Sequence, residues 1–160
     1  MSLSFIIDSH LALPHMEQLL EMEPRLRPSI LLVDDHRAVR EALAQLLEAN
    51  GLPVMAQASG REEALMQVAA KRPDVALVDL SLGHDSGLAL VSDLHKLDIP
   101  TVVCSNHEDP ECVRRALNAG ARAYVSKRDA GQALARAVAD VLGGWVLISP
   151  RAAGGLPDGL

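Results

Sequence analysis

The feature that most constrains the fold is a short apolar run, residues 75–78, which ends abruptly in Asp79. The breaker pair Pro73-Asp74 precedes this run. An uninterrupted run of Val, Ala and Leu is typical of a strand that is buried on both faces of a parallel sheet. Open α/β sheets bind their ligands at the carboxyl ends of the strands. The sequence therefore predicts that Asp79 lies at the mouth of a functional site.

Three further apolar runs also end in side chains that carry chemistry. The first, residues 30–33, is followed by Asp34 and Asp35, and the other two lead into Ser105 and Lys127. If these strands are parallel neighbours, all of these side chains lie close to Asp79 at one edge of the sheet. Three carboxylates, a hydroxyl and an amine would then lie together.

Between the apolar runs, hydrophobic residues recur with the spacing of amphipathic helices. The predicted strands span residues 29–34, 52–58, 75–79, 101–104 and 121–126. The predicted helices span residues 36–49, 61–71, 87–97, 108–119 and 129–142, and residues 80–86 are predicted to form a loop. This strict alternation predicts an α/β fold of the flavodoxin-like (βα)5 type, doubly wound, with five parallel strands in the order 2-1-3-4-5 and helices on both faces.

The length of 160 residues suits one well-buried domain with residues left over at both ends. We expect an N-terminal extension over residues 1–28, partly vector-derived or mobile, and a core domain over 29–148. Residues 149–160 are rich in Gly, Ala and Pro and are expected to form a linker to a C-terminal domain that is absent from this chain.

The net charge of −6 has the wrong sign for a surface that follows a nucleic-acid backbone. The chain contains neither an apolar stretch of about 18 residues nor a basic leader followed by an apolar segment. We therefore expect a cytoplasmic protein with no membrane partner. The two cysteines, Cys104 and Cys112, are not at metal-ligand spacing and are expected to be free thiols.

Taken together, the motifs resemble the receiver domain of two-component response regulators, over about residues 29–150. The motifs that carry the resemblance are Leu32-Val33-Asp34-Asp35-His36, Val78-Asp79-Leu80, Val103-Cys104-Ser105 and Ala123-Tyr124-Val125-Ser126-Lys127. Residues 143–150 resemble the end of receivers in the NarL/FixJ subfamily, which carry a LuxR-type helix-turn-helix domain after a short linker.

The resemblance implies that Asp79 accepts a phosphoryl group from the histidine of a sensor kinase. Asp34, Asp35 and the Asp79 carboxylate would hold Mg²⁺ together with the backbone carbonyl of Ser81, and Lys127 would pair with the phosphoryl oxygens. Phosphoryl transfer to a carboxylate needs this combination of nucleophile, hard cation and positive charge. The chemistry would be limited to self-phosphorylation from a phosphodonor and autodephosphorylation, without turnover of an external substrate.

The resemblance also implies a switch. Ser105 would donate its hydroxyl to the attached phosphoryl group, and this movement would be coupled to inward rotation of Tyr124. The face formed by residues 108–119, 123–126 and 129–142 would then change shape, and we expect a homodimer or an output domain to contact it.

Several of these residues also have simpler structural roles. Asp35 could cap the following helix, Lys127 could be a solvated loop lysine, Ser105 could be a turn residue, and Tyr124 could be plain packing. His36 and His107 are expected to be exposed residues beside the site and not metal ligands.

The main hypothesis is a phosphorylation-dependent signalling receiver whose intact protein regulates transcription through a LuxR-type DNA-binding domain. The alternative is a stand-alone receiver that acts as an adaptor or phosphorelay carrier without DNA binding. A metal-dependent phosphatase with a nucleophilic aspartate is disfavoured, because residues 34–37 lack the second acid two positions after the first.

Overall fold

The computed structural model describes residues 27–83 and 85–154. The expectations for residues 1–26 and for residues 155–160 lie outside the described residues. None of the helices in the described part of the chain has the length and apolarity that crossing a bilayer requires.

One parallel sheet of six strands organises the described residues, and helices connect consecutive strands. The strands are β1 (Ile30–Val33), β2 (Val54–Ala58), β3 (Val75–Val78), β4 (Thr101–Ser105), β5 (Ala123–Ser126) and β6 (Leu147–Ile148). The helices are α1 (Arg37–Ala49), α2 (Arg61–Ala70), α3 (Gly87–Lys96), α4 (Pro110–Ala119), α5 (Ala130–Leu142) and α6 (Pro150–Ala153), and a 3₁₀ turn, Lys127–Asp129, precedes α5. The strand order is 2-1-3-4-5-6. The predicted flavodoxin-like order is confirmed, with one short strand added at the edge beside β5.

The sheet is buried on both faces, which explains why its strands are continuous apolar runs. Ile30 and Leu32 of β1 face the cluster that contains α1 and α5. Leu31 and Val33 face the opposite cluster, to which α2, α3 and α4 contribute. Burial on both sides fixes the register of each strand, because a slip by one residue would exchange the two faces.

The segment after β3 differs from the predicted loop. Ser81–Leu82 pairs antiparallel with Asp85–Ser86 and forms a small hairpin. Leu82 is buried, and Gly83 has a φ of 64°, in the left-handed region that a tight turn requires. The hairpin therefore gives a definite shape to the chain that leaves Asp79.

The N-terminus of α3 packs against the backbone of Asp79 and Leu80, where the chain leaves β3. A Cβ on Gly87 would collide with the backbone of Asp79 and Leu80, at 2.5 Å from the Leu80 Cα. The Gly87 N–H donates to the Leu80 carbonyl at 3.0 Å. Glycine is required here because two backbone segments approach more closely than any side chain allows.

Residues 149–154 pack against the domain, although the sequence predicts that they belong to a linker. The Ser149 N–H donates to the Tyr124 carbonyl at 2.9 Å, and the Ser149 hydroxyl accepts from the Ser126 N–H at 3.0 Å. Ala152 of α6 is completely buried. The beginning of the expected linker, through residue 154, therefore packs against the edge of the sheet.

Candidate functional site

The sheet brings the predicted side chains to its carboxyl edge because β1, β3, β4 and β5 are consecutive neighbours. Val33 pairs with Val78, and the Asp79 N–H donates to the Val33 carbonyl at 3.0 Å. Asp34 and Asp79 consequently leave the sheet side by side. Lys127 leaves it two strands away, at the end of β5.

A single ammonium group links the two strand-end carboxylates. Lys127 Nζ lies 2.8 Å from Asp34 Oδ2 and 3.2 Å from Asp79 Oδ2. The three side chains are 12%, 1% and 5% exposed, respectively. Lys127 is therefore not a solvated loop lysine, since it serves two buried carboxylates at once.

The charges in this cluster change the protonation of its members. Burial raises the pKa of Asp79, and the negative charge of Asp34 raises it further, while Lys127 opposes both effects. Burial alone would lower the pKa of Lys127, but its hydrogen bond to Asp34 and the charges of both carboxylates raise that pKa above its ordinary value. The ammonium group therefore stays charged at neutral pH, facing more negative charge than it can neutralise.

Asp35 does not cap α1. The N-cap residue of that helix is His36, whose side chain makes no capping hydrogen bond, and the His36 N–H donates to Asp34 Oδ1 at 2.9 Å. Asp35 Oδ1 instead lies 2.9 Å from His36 Nδ1. His36 is exposed, as expected, although its ring lies against the acidic pair.

The acidic cluster fits a hard divalent cation such as Mg²⁺. Asp34, Asp35, His36 and Asp79 each offer a ligand atom within 4.8 Å of the others. Within the described residues, the buried oxygen Asp34 Oδ2 has only the Lys127 ammonium beside it as a donor, at 2.8 Å, and Asp35 Oδ1 has only His36 Nδ1, at 2.9 Å. Incompletely satisfied carboxylate oxygens are costly, and Mg²⁺ prefers such ligands.

Ser105 and Tyr124 are brought to a neighbouring loop, residues 106–109, which we call the β4–α4 loop. Both side chains are completely buried. Ser105 Oγ accepts the His107 N–H at 3.1 Å, and the Tyr124 hydroxyl donates to the His107 carbonyl at 2.6 Å. Burial raises the pKa of Tyr124 to about 12.

His107 thus has a central position that the sequence did not reveal. Its side chain is exposed as expected, but its backbone joins β4 to β5 and its Nε2 lies 3.2 Å from Ser81 Oγ. The next residue, Glu108, accepts from the Ser126 hydroxyl and pairs with Arg128 at 3.3 Å. Backbone contacts of this kind leave no pattern in a sequence, since any residue type can make them.

The chain is similar to known proteins in sequence and in fold. Residues 30–139 match the family model for the response regulator receiver domain. The DNA-binding transcriptional activator DevR/DosR of Mycobacterium tuberculosis is 40% identical over 130 residues, which cover 79% of this chain and 60% of that protein. A protein-glutamate methylesterase/protein-glutamine glutaminase of Cereibacter sphaeroides is 40% identical over 139 residues, covering 83% of this chain and 38% of that protein.

A solved structure agrees with both the fold and the family. The crystal structure of a LuxR-family two-component response regulator from Aurantimonas sp. SI85-9A1 superposes with a TM-score of 0.76 at 30% identity. The match covers 80% of this chain and 94% of that one. This chain spans only about 60% of the length of the mycobacterial relative. Since the family model matches more than half of the chain, the chain belongs to the receiver domains of two-component response regulators.

Proposed function

We propose that this receiver domain accepts a phosphoryl group on Asp79 from the phosphohistidine of a sensor kinase. The observation that carries the proposal is the position of the Lys127 ammonium, which contacts Asp79 and Asp34 at 3.2 and 2.8 Å. Lys127 remains charged, so it can turn from Asp79 to the incoming phosphoryl oxygens. Transfer breaks the bond from phosphorus to the kinase histidine and forms a bond to an Asp79 oxygen.

Asp34, Asp35 and Asp79 would hold Mg²⁺, together with the backbone carbonyl of Ser81. When bound, the ion neutralises oxygen charge as the phosphoryl group is transferred. This role is supported by two buried carboxylate oxygens, Asp34 Oδ2 and Asp35 Oδ1, each of which has a single nitrogen donor beside it in the described part of the chain. The ion would replace the contact that His36 Nδ1 makes with Asp35 Oδ1 at 2.9 Å.

Ser105 and Tyr124 would form the switch. Ser105 Oγ accepts a hydrogen bond from the His107 N–H, so its own proton remains available for a phosphoryl oxygen. The Tyr124 ring is already inside in this structure. An outward ring, without the hydrogen bond to His107, would be the other state, and phosphorylation would shift the population between the two. The face formed by α4, β5 and α5 would then differ in shape between the two states, and a second copy or an output domain would contact it.

For the intact protein we propose transcriptional regulation in the cytoplasm through a LuxR-type DNA-binding domain. The activity in the name of the mycobacterial relative and the LuxR-family assignment of the solved structure support this output. The charge of −6 means that any DNA contact would come from that other domain. An enzymatic output is the competing hypothesis, because the methylesterase relative is equally identical in sequence. A stand-alone adaptor or phosphorelay carrier remains the third.

The acceptor is tested by incubating the protein with Mg²⁺ and a small-molecule phosphodonor and measuring the intact mass. Asp79→Asn removes the proposed nucleophile. Asp98→Asn is the matched control, because Asp98 is exposed and has a φ of 58°, which Asn adopts as readily as Asp. We expect one phosphoryl group on the wild type and on Asp98→Asn, and none on Asp79→Asn. Labelling of Asp79→Asn at the wild-type level would contradict the proposal.

A further inference from the structure

A second group of metal-ligating side chains lies beside the acidic cluster. His107, Asp109 and Cys112 offer a ring nitrogen, a carboxylate oxygen and a thiol sulfur, all within 4.8 Å of one another. Asp109 is the N-cap of α4, and its Oδ2 accepts the Cys112 N–H at 3.2 Å. The first turn of α4 therefore places the thiol over the carboxylate.

The imidazole of His107 has a partner that orients it. Its Nε2 lies 3.2 Å from Ser81 Oγ, which belongs to the hairpin after β3. A hydrogen bond to one ring nitrogen fixes the ring and leaves the other nitrogen available, as is usual for histidine ligands of metal ions. His107 and Asp109 are exposed and Cys112 is partly buried, so an ion can reach the group from solvent.

We propose that His107, Asp109 and Cys112 bind a transition-metal ion of the Zn²⁺ class at a site separate from the acidic cluster. Sulfur and nitrogen ligands select Zn²⁺ over Mg²⁺, and three protein ligands leave a fourth position for water. Burial and the nearby Asp109 raise the pKa of the Cys112 thiol. The thiol therefore carries its proton in the metal-free protein, and this proton is released to solvent when the sulfur binds the ion.

Metal binding by His107, Asp109 and Cys112 would affect the switch formed by Ser105 and Tyr124. This effect rests on the proposed function. The backbone of His107 contacts Ser105 Oγ at 3.1 Å and the Tyr124 hydroxyl at 2.6 Å. An ion on the His107 ring would hold the β4–α4 loop in this arrangement, with Tyr124 inside. It would therefore favour the state that we assign to the phosphorylated protein.

Cobalt is the probe for the site, since Co²⁺ replaces Zn²⁺ and a thiolate ligand gives it a charge-transfer absorption. The acidic cluster contains no sulfur, so Co²⁺ bound there lacks this absorption. Cys112→Ser removes the sulfur, and Asp109→Asn removes a charged ligand but retains the helix cap, because Asn caps as well as Asp. Cys104→Ala is the control, since the Cys104 side chain is buried in the core on the α1 and α5 side of the sheet.

We expect a saturable absorption at one Co²⁺ per chain in the wild type and in Cys104→Ala, reversed by Zn²⁺. Cys112→Ser should lose the absorption, and Asp109→Asn should bind Co²⁺ at least about tenfold more weakly. Absence of the absorption in the wild type, or its persistence in Cys112→Ser, would overturn the proposal. Circular dichroism establishes whether each variant is folded. If Cys112→Ser does not fold, Asp109→Asn still tests the proposal.

The link to the switch is tested by titrating the phosphoryl analogue beryllofluoride in Mg²⁺, with and without Zn²⁺. We expect Zn²⁺ to tighten beryllofluoride binding about fivefold or more in the wild type and to have no such effect in Cys112→Ser. Unchanged affinity in the wild type would overturn the link. Failure of beryllofluoride to bind at all would instead count against the proposed function, while the cobalt absorption would still report on the metal site.

Discussion

The acidic cluster and the β4–α4 loop lie side by side at the carboxyl edge of the sheet, but different forces position them. Asp34, Asp79 and Lys127 follow directly from buried strands, so the strand register places them. In the β4–α4 loop, the His107 N–H donates to Ser105 Oγ and the His107 carbonyl accepts from the Tyr124 hydroxyl. A hydrogen bond contributes only about 1 kcal/mol net to stability. Rearrangement of this loop therefore costs less free energy than rearrangement of the buried strands. The comparison predicts that the acidic cluster is a rigid region and that the β4–α4 loop is a movable region.

Removal of the central ammonium should disturb the rigid region most. In Lys127→Met, two buried carboxylates face each other without a counter-charge, and we expect the free energy of unfolding to fall by about 3 kcal/mol without Mg²⁺. Added Mg²⁺ should restore more stability to this variant than to the wild type, because the ion replaces the lost charge. Urea denaturation with and without Mg²⁺ measures both effects. The control is Lys96→Met, at an exposed lysine of α3, and equal stability of the two variants would contradict the prediction.

The close approach at Gly87 should be the next most sensitive feature. In Gly87→Ala the new methyl group meets the backbone of Asp79 and Leu80, which cannot yield as a flexible side chain can. We expect a loss of about 2 kcal/mol in the free energy of unfolding and weaker beryllofluoride binding, since Asp79 is displaced. Gly131→Ala is the matched control, because a Cβ there meets nothing within 4 Å. A Gly87→Ala variant as stable as this control would show that the segment is not fixed from the α3 side.

The movable region should respond to Tyr124→Phe with a smaller change. The variant loses the hydrogen bond to the His107 carbonyl, and we expect the free energy of unfolding to fall by about 1 kcal/mol. Amide hydrogen exchange should accelerate at the β4–α4 loop while Mg²⁺ affinity stays at the wild-type value. Loss of Mg²⁺ affinity in Tyr124→Phe would mean that the two regions are not independent.

The stability of Tyr124→Phe should also differ from that of the wild type in its dependence on alkaline pH. The pKa of Tyr124 is about 12 in the folded protein and about 10 in an unfolded chain. The stability that this buried phenol contributes is fully present below about pH 10 and is lost as the pH rises through 12. Stability should therefore decline more steeply in the wild type than in Tyr124→Phe over that interval, as measured by denaturation at several pH values. The raised pKa of Cys104 affects both proteins equally, so parallel curves would contradict the assignment to Tyr124.

Asp35→Asn should have the smallest effect on stability. Asp35 does not cap α1, so we expect the free energy of unfolding to stay within about 0.5 kcal/mol of the wild type. Mg²⁺ binding, measured by calorimetry, should nevertheless weaken about tenfold, because one carboxylate ligand is lost. A large loss of stability with unchanged Mg²⁺ affinity would assign Asp35 a structural role and exclude it from the metal site.

The acidic cluster could be predicted from the sequence, whereas the contacts of the β4–α4 loop could not. An apolar run that ends in Asp79 or Lys127 indicates both the strand and the place where its last side chain emerges. The strict alternation of strands and helices then limits the sheet to few orders, and the predicted one was confirmed. The roles of Asp79 and Lys127 in phosphoryl transfer stay predictions until they are tested.

Other features depend on details that periodicity does not contain. The helix predicted to begin at Glu108 begins at Pro110, which makes Asp109 a cap and brings it to Cys112. The spacing of the cysteines alone therefore gave no indication of a metal site. The hairpin after β3 and the short strand β6 have only two residues per strand, too few for a hydrophobic period to be recognised.

The packing of β6 against β5 has a consequence for the behaviour of the protein at high concentration. Without β6, β5 would be the end of the sheet, and its unpaired backbone groups would offer a template for strands of other chains. Leu147 and Ile148 occupy this template, and Ser149 closes it by bonding to the Ser126 N–H and the Tyr124 carbonyl. Two paired residues and one serine thus cover the backbone groups of β5, and we expect the two-residue β6 to offer other chains a much shorter template at this edge.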